Sequence, residues 1–421
     1  MKQLLYVCLD GLGDDPNPEL GGRTPLEAAR TPVLDSLARQ GSQGLVWTVG
    51  KDVAPESDIA VFAILGYDPR VEHPGRGVLE ALGSGMEFRD GDLALRVNFA
   101  TREGDEIVDR RVGRDLPSDE AHALAAEVNA GVTLPDATFE LRATVEHRGA
   151  LVVRSSAGPL SAEVGNTDPA YAKEGTLGVA LETFENTVAR SEPLDETDEA
   201  SRAAALVNRF TEDSANVLDA SEVNARRRAL GRLPANLILS RDAGDHVPHL
   251  TPIKDRFGPS WGCFVEMPVE RGIALVLGMS PVDAPTGIPR REQYAAWAAL
   301  AAEALGGYDA LYIHIKGPDV PAHDGRCLDK LEVCEDIDAA FFGELLPAID
   351  LERVVLAITA DHSTSCIRKA HTADPVPLLV AGGGVASDAS ESFGESAAGR
   401  GALGSMFGVE ILPRVTRLLG D

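Results

Sequence analysis

Asp10 follows the apolar run Leu4–Leu9, in Leu9-Asp10-Gly11-Leu12-Gly13. Asp319 and His323 follow the run Leu311–Ile315, in Lys316-Gly317-Pro318-Asp319-Val320-Pro321-Ala322-His323-Asp324-Gly325. Asp361-His362 closes the run Val354–Thr359, and His371 comes nine residues after His362. Carboxylate and imidazole are natural ligands for divalent metals. Six such groups exceed the needs of one tetrahedral ion and suit a pair of ions roughly 3.5–4 Å apart, the arrangement that clamps a transferring phosphoryl group. Taken singly, an Asp at a strand end is also a helix cap or turn residue, and a His is also a structural hydrogen-bonder. The coincidence at the ends of several strands is what points to metal chemistry. Two ions of this kind need a nucleophile. Pro55-Glu56-Ser57-Asp58 precedes the apolar run Ile59–Leu65, which puts Ser57 at a helix N-terminus, where unpaired amides and the helix dipole favour an anion. A serine hydroxyl is a weak nucleophile until a base or metal activates it. A serine that merely caps a helix occupies the same place, and nothing local separates the two.

These residues need elements that deliver them to one place. Leu4–Leu9, Ile273–Leu277, Leu311–Ile315 and Val354–Thr359 are continuous rather than alternating apolar runs, as expected of buried parallel strands. Pro377–Val380 reads as a fifth strand. Thr31–Gln40 starts with Thr-Pro and stops at Gly41, a helix with proline in its first turn. Arg291–Leu305 and Asp329–Leu346 read as further helices. The alternation predicts an α/β fold with a doubly wound sheet, and ligands of such sheets bind beyond the carboxyl ends of the strands. Between about Val71 and Gly262 the pattern changes: strand-like Leu93–Phe99 and Thr144–Arg154 mix with an acidic, turn-rich stretch at Ser191–Ala200. This predicts an inserted α+β domain over 72–262, with 1–71 and 263–421 forming the core. The Gly-, Ser- and Ala-rich segment Gly382–Gly404 reads as a long mobile loop.

Composition bounds the partners. The 421 residues carry a formal charge of −27 and are 44% hydrophobic, a globular composition. The acidic balance argues against nucleic acid and against anionic membrane surfaces. No apolar stretch has the length of a bilayer span, and the short run after Lys2 lacks the pattern of a secretory signal. Five scattered cysteines without a C-x-x-C pair read as reduced thiols of a cytoplasmic protein.

The motifs together resemble the archaeal-type, cofactor-independent phosphoglycerate mutases of the alkaline phosphatase superfamily. The matching stretches are Leu9-Asp10-Gly11-Leu12-Gly13-Asp14, Thr24-Pro25-Leu26-Glu27-Ala28-Ala29, Ser57-Asp58 with Ala63-Ile64-Leu65-Gly66-Tyr67-Asp68-Pro69, and Asn98-Phe99-Ala100-Thr101. Pro234-Ala235-Asn236, His314-Ile315-Lys316-Gly317-Pro318-Asp319 with His323-Asp324-Gly325, and Asp361-His362-Ser363-Thr364 complete the series, in order along nearly the whole chain. The chain departs from the family pattern at Glu56, where Gly is expected before the nucleophile, and at Val61 and Ala322.

The resemblance implies an alkaline-phosphatase-like core with an inserted transferase domain that closes on substrate. It implies two divalent metal ions (manganese first, with cobalt, zinc or magnesium as alternatives) and no 2,3-bisphosphoglycerate cofactor. Asp10, Ser57, Asp361 and His362 would hold one ion, and Asp319, His323 and His371 the other. Ser57 would be the nucleophile, with Lys330 near the phosphorylated serine. The reaction implied is interconversion of 3-phosphoglycerate and 2-phosphoglycerate through a phosphoserine. The insert would then grip glycerate, with Arg76, His147, Arg148, Asp168, Arg227 and Arg241 as candidates, since the planar guanidinium fork binds carboxylate bidentately. His147 and Asp168 would handle protons of the glycerate hydroxyls. A charge of −27 excludes extended polyanions but not a small trianion held where two ions and a few arginines invert the sign locally. A related phosphotransferase or phosphohydrolase acting on another small phosphorylated metabolite, and a non-enzymatic metal-binding paralogue, are the competing readings.

Overall fold

The computed structural model describes residues 2–175, 177–181 and 183–420. The chain forms two compact units. One comprises Met1–Val71, Leu250–Glu266 and Leu277–Asp421, and the other Glu72–His249 and Met267–Val276. The insertion expected over 72–262 therefore ends at His249, and a later short segment joins it.

In the first unit eight strands form a sheet in the order Ser280–Pro281, Trp261–Phe264, Ala310–Ile315, Gln3–Leu9, Val354–Thr359, Val376–Gly382, Ser42–Trp47, Gly404–Phe407, and Ser363–Ser365 pairs separately with Ala370–Thr372. The three central strands are parallel and in register: Leu9 lies opposite Ile315, and Cys8 opposite Thr359. Leu4, Leu5, Val7, Ile313, Leu356 and Ile358 are fully buried, the expected fate of continuous apolar runs covered on both faces. The Arg290–Ala304 helix buries Tyr294, Trp297, Ala298 and Ala301, one stripe at helical spacing.

Three expectations are corrected. Ile273–Leu277 is not a strand: its residues lie mostly in the helix Pro268–Val276, where Val269, Glu270, Gly272, Ile273 and Ala274 are buried. A short apolar run carries no period of its own, and the Glu270 carboxylate, accepting from the Met267 amide at 3.0 Å, ties the first turn. Val376–Gly382 is a strand but runs antiparallel to both neighbours. The 382–404 segment is pinned to the body of its unit. The Asp388 carboxylate accepts from the Gln43 and Ala402 amides at 2.7 and 3.0 Å, Glu395 accepts from the Thr24 hydroxyl at 2.8 Å, and Phe393 and Ala398 are buried.

In the second unit an antiparallel sheet runs Ala137–Ala143, Arg148–Ser155, Leu93–Glu103, Leu237–Gly244, with Glu106–Asp109 paired to the end of Leu93–Glu103. The strand expected over Thr144–Arg154 begins only at Arg148, and residues 144–147 form the tight turn that joins it to Ala137–Ala143, with Glu146 at a φ of 55°. Leu93, Leu95, Val97 and Phe99 pack with Leu124, Val128, Val207 and Phe210 of the helices Ser118–Gly131 and Asp198–Asp219. The alternate residues Ala94, Arg96, Asn98 and Ala100 face the other way, and Ala94 packs with Val78 and Ala81 of the helix Arg76–Gly83. All five cysteines are buried and free. No described helix is long and apolar enough to cross a membrane.

Candidate active site and metal centre

Parallel register brings the ends of the Gln3–Leu9, Ala310–Ile315 and Val354–Thr359 strands to one edge, and Asp10, Lys316 and Asp361 leave it side by side. The Asp10 amide donates to the Ile315 carbonyl at 3.0 Å. Gly11, with a φ of 62°, takes a left-handed turn, and any Cβ there would stand 2.7 Å from Thr364 Oγ1 and 2.8 Å from Asp319 Cβ. The turn therefore needs glycine, and it lets three loops close on one another.

Asp10, Asp361, His362 and Ser57 converge. His362 Nε2 lies 3.3 Å from Asp361 Oδ2, 3.6 Å from Asp10 Oδ1 and 3.2 Å from Ser57 Oγ. Asp361 Oδ1 accepts from the amides of Gly11 and His362, both at 3.0 Å. Asp361 Oδ2 and Asp10 Oδ1 are buried without a hydrogen-bond partner among the described residues. Two buried carboxylate oxygens aimed at one imidazole lone pair are costly unless a cation sits among them. Burial, with Asp10 alongside, pushes the Asp361 carboxyl well up. Burial and then His371 push His362 down to about 3, so its imidazole is neutral and able to donate a lone pair.

Asp319, His323 and His371 form a second group within ligand reach of one another. Asp319 Oδ1 is 3.4 Å from His323 Nε2 and 3.6 Å from His371 Nε2. Each imidazole has its other nitrogen engaged: His323 Nδ1 with the Lys369 carbonyl at 3.2 Å, His371 Nδ1 with the Pro55 carbonyl at 2.8 Å, and His362 Nδ1 with Thr364 Oγ1 at 3.0 Å. Holding Nδ1 in this way turns Nε2 toward a metal and fixes the tautomer. Acid-and-imidazole donors, the two unsatisfied oxygens and the oriented rings all fit divalent cations.

Ser57 is the first residue of the Ser57–Ile64 helix, and Glu56 holds the capping position without a side-chain cap bond. The capping alternative for Ser57 is thereby removed: its hydroxyl meets His362 instead. The Pro55 carbonyl bonded to His371 lies two residues before it, so a ring of the second group steadies the serine loop. Lys316, to which sequence reasoning gave no role, places Nζ 2.9 Å from Asp10 Oδ2. Burial raises the Asp10 carboxyl, yet it is held low, chiefly by the Lys316 ammonium.

Lys330 does not fill the role expected of it. It is fully buried, and its ammonium donates to the Gly13 carbonyl, Asp14 Oδ2 and the Thr364 carbonyl at 2.9, 2.9 and 2.8 Å. All three protons are taken, so it ties together the loops that carry Asp10 and His362 and is a positioning residue.

The second unit gathers arginines on the sheet face opposite its main core. Arg96 lies opposite Arg241, and Asn98 opposite Arg148. Arg76 Nε is 3.3 Å and Arg96 Nε 3.9 Å from Glu80 Oε1. Burial, with Arg76 and Arg241 alongside, depresses the Arg96 pKa. Burial and then Arg148 push His147 down to about 3, so it is neutral at pH 7. Arg96 Nε, Asn98 Oδ1 and His147 Nδ1 are buried without hydrogen-bond partners among the described residues. Asp168 is no free proton acceptor: Arg110 grips it bidentately at 2.8 and 2.7 Å, and Arg241 Nη1 lies 3.3 Å away. It orients those two arginines, and Arg241 also stacks 3.5 Å from the centre of the Tyr171 ring. Arg227 is corrected outright. It is buried among helices, donating to the Leu233 carbonyl, Glu120 Oε2 and the Asp115 carbonyl at 2.7, 2.6 and 2.8 Å, and it serves the fold. Sequence reasoning missed Arg96, Asn98 and Arg110. Alternation along Leu93–Glu103, with polar Arg96 and Asn98 between apolar neighbours, was the available signal for the first two.

The 2,3-bisphosphoglycerate-independent phosphoglycerate mutase family model matches residues 38–224. A 2,3-bisphosphoglycerate-independent phosphoglycerate mutase from Aeropyrum pernix is 43% identical over 426 residues, covering 99% of each chain. One from Methanopyrus kandleri is 39% identical over 425 residues, covering 100% of this chain and 97% of its own. Among solved structures, a Pyrococcus horikoshii protein superposes with a TM-score of 0.81 at 30% identity, covering 100% of this chain and 97% of the other. The cofactor-independent phosphoglycerate mutase of Thermoplasma acidophilum superposes with a TM-score of 0.66 at 32% identity over the full length of both chains. With relatives this similar from end to end, the chain belongs to the 2,3-bisphosphoglycerate-independent phosphoglycerate mutase family.

Proposed function

We propose that the protein interconverts 3-phosphoglycerate and 2-phosphoglycerate through a phosphoserine at Ser57, with two divalent ions, manganese foremost, and without 2,3-bisphosphoglycerate. The observation that carries this reading is Ser57 Oγ at a helix N-terminus, 3.2 Å from His362 Nε2 and grouped with the two unsatisfied oxygens of Asp10 and Asp361. Asp10, Ser57, Asp361 and His362 would hold one ion, and Asp319, His323 and His371 the other. Bound there, the ions would acidify the serine hydroxyl and neutralise charge on the phosphoryl group in flight.

In the forward direction Ser57 Oγ bonds to phosphorus, the bond from phosphorus to the C3 oxygen breaks, and that oxygen takes a proton equivalent to the one Ser57 lost. After glycerate turns, its C2 oxygen attacks the phosphoserine and loses its proton, and Ser57 is restored with one. The helix terminus at Ser57 favours the dianionic phosphoryl group while it rests there. The glycerate part is a carboxylate flanked by hydroxyls. Arg76, Arg96, Arg148 and Arg241 suit the carboxylate. The unsatisfied Asn98 Oδ1 calls for a donor such as a glycerate hydroxyl, and neutral His147 can exchange a hydrogen bond with another hydroxyl.

The reading is tested with purified protein, manganese and 3-phosphoglycerate. Appearance of 2-phosphoglycerate supports it, release of free phosphate instead assigns a phosphohydrolase, and no turnover overturns it. At residue level, Arg96→Lys should raise KM for 3-phosphoglycerate by about tenfold or more, because one charged hydrogen bond of the fork is worth roughly 1.5–3 kcal/mol. Steady-state kinetics showing an unchanged KM would remove Arg96 from the substrate's contacts.

A further inference from the structure

Thr364 lies at the point where the two ligand groups meet. Its Oγ1 donates to Asp319 Oδ1 at 2.7 Å and lies 3.0 Å from His362 Nδ1. One of these residues belongs to each group. On the strand pair Ser363–Ser365 and Ala370–Thr372, Thr364 stands directly opposite His371, a third candidate ligand. Its main chain is fixed at both ends: the amide donates to the Gly13 carbonyl at 2.9 Å, and the carbonyl accepts from Lys330 Nζ at 2.8 Å. The side chain is fully buried, so water does not compete for the hydroxyl.

A hydroxyl has one proton to give. An ionised carboxylate only accepts, so Asp319 takes that proton and leaves Thr364 Oγ1 with lone pairs alone. His362 Nδ1 must then be the donor in the second bond. The His362 proton is thereby fixed on Nδ1, and Nε2 faces Asp10, Asp361 and Ser57 with its lone pair. Reversing the chain would put the proton on Nε2, where it would block a metal. A charged acid in one group thus dictates which nitrogen of an imidazole in the other can bind.

We propose that Thr364 couples the two metal half-sites, so that an intact Asp319 group strengthens cation binding at the His362 group and the reverse. Such coupling is reciprocal by thermodynamic necessity, and it works against the mutual repulsion of two dications. The inference rests on the reading of these groups as metal sites, not on the identity of the substrate.

The test is calorimetric titration of the metal-free full-length protein with Mn²⁺, in wild type, Thr364→Val and Thr364→Ser. Valine keeps the shape and removes the hydroxyl, and serine keeps the hydroxyl. Thr364→Val should bind Mn²⁺ about 10–100-fold more weakly, the usual effect of removing an outer hydrogen-bond partner of a ligand, and Thr364→Ser should restore most of it. A cycle with Asp319→Ala, which removes the acceptor at the far end of the chain, separates coupling from simple weakening. In wild type, Asp319→Ala weakens the ion held at the His362 group, whereas in Thr364→Val it no longer does. Equal affinities in wild type and Thr364→Val, or persistent coupling in Thr364→Val, overturn the proposal. Failure of Thr364→Ser to restore binding also overturns it, since the methyl group would then be what matters. A wild type that binds no Mn²⁺ sinks the metal reading itself, which is a different result from two ions bound without coupling.

Discussion

Ser57→Ala should abolish phosphoryl transfer, lowering kcat by about 10⁴-fold or more, the scale on which nucleophile deletions act. The fold should hardly notice. The hydroxyl makes one long contact, to His362, and caps nothing. Metal should stay bound, because Asp10, Asp361 and His362 keep three donors of that group and Asp319, His323 and His371 are untouched. Three measurements check this together: turnover of 3-phosphoglycerate, acid-stable phosphate on the protein after quenching, and Mn²⁺ stoichiometry. Wild type should carry the label on Ser57, and the variant none. An active Ser57→Ala would mean that the phosphoryl group passes between the hydroxyls of glycerate without resting on the protein. An inactive variant that had also lost its metal would show Ser57 to be chiefly a ligand.

Most of the candidate site residues that could be read from sequence share a physical property: they follow a strand that announces itself. Asp10, Asp361 and His362 stand just beyond continuous apolar runs, and parallel packing leaves strand ends nowhere to go but one edge. Ser57 was equally visible, yet two roles fitted it until the structure placed Glu56 in the capping position. Lys330 and Arg227 show the opposite case. A cation beside a motif and a cation in an arginine-rich helix look alike in sequence whether they meet substrate or carbonyl oxygens. Both proved to be buried donors tied to main-chain carbonyls far along the chain, those of Gly13 and Thr364 for Lys330 and that of Asp115 for Arg227. Thr364 and Lys316 act through partners far along the chain, as with Thr364 and Asp319, and local pattern has no access to such pairs. The Ile273–Leu277 run failed for another reason. Its length suits strand or helix, and its place in a unit discontinuous in sequence was decided by packing.

Lys330→Met should be the most damaging single change away from the reacting atoms. The ammonium is fully buried against Asp14, whose side chain is also sealed from solvent, and it satisfies two carbonyls besides. Methionine fills much the same volume but leaves an uncompensated carboxylate and two unpaired acceptors. Breaking a buried pair from one side costs about 3–5 kcal/mol, a large share of the 5–15 kcal/mol that holds most domains together. The damage is also directional. Gly13 belongs to the loop that starts at Asp10, and Thr364 to the loop that starts at Asp361. Without the lysine, the two carboxylates of the first candidate metal group lose the tie that sets their separation. Mn²⁺ affinity should therefore fall in any variant that still folds, and denaturation curves with and without saturating Mn²⁺ should differ less than in wild type. The double variant Lys330→Met/Asp14→Leu separates the two effects, because it removes the stranded charge while leaving the loops untied. It should regain much of the stability and little of the metal affinity. Recovery of both would make Lys330 a neutraliser of Asp14 and nothing more, whereas recovery of stability alone assigns it to the geometry of the metal site.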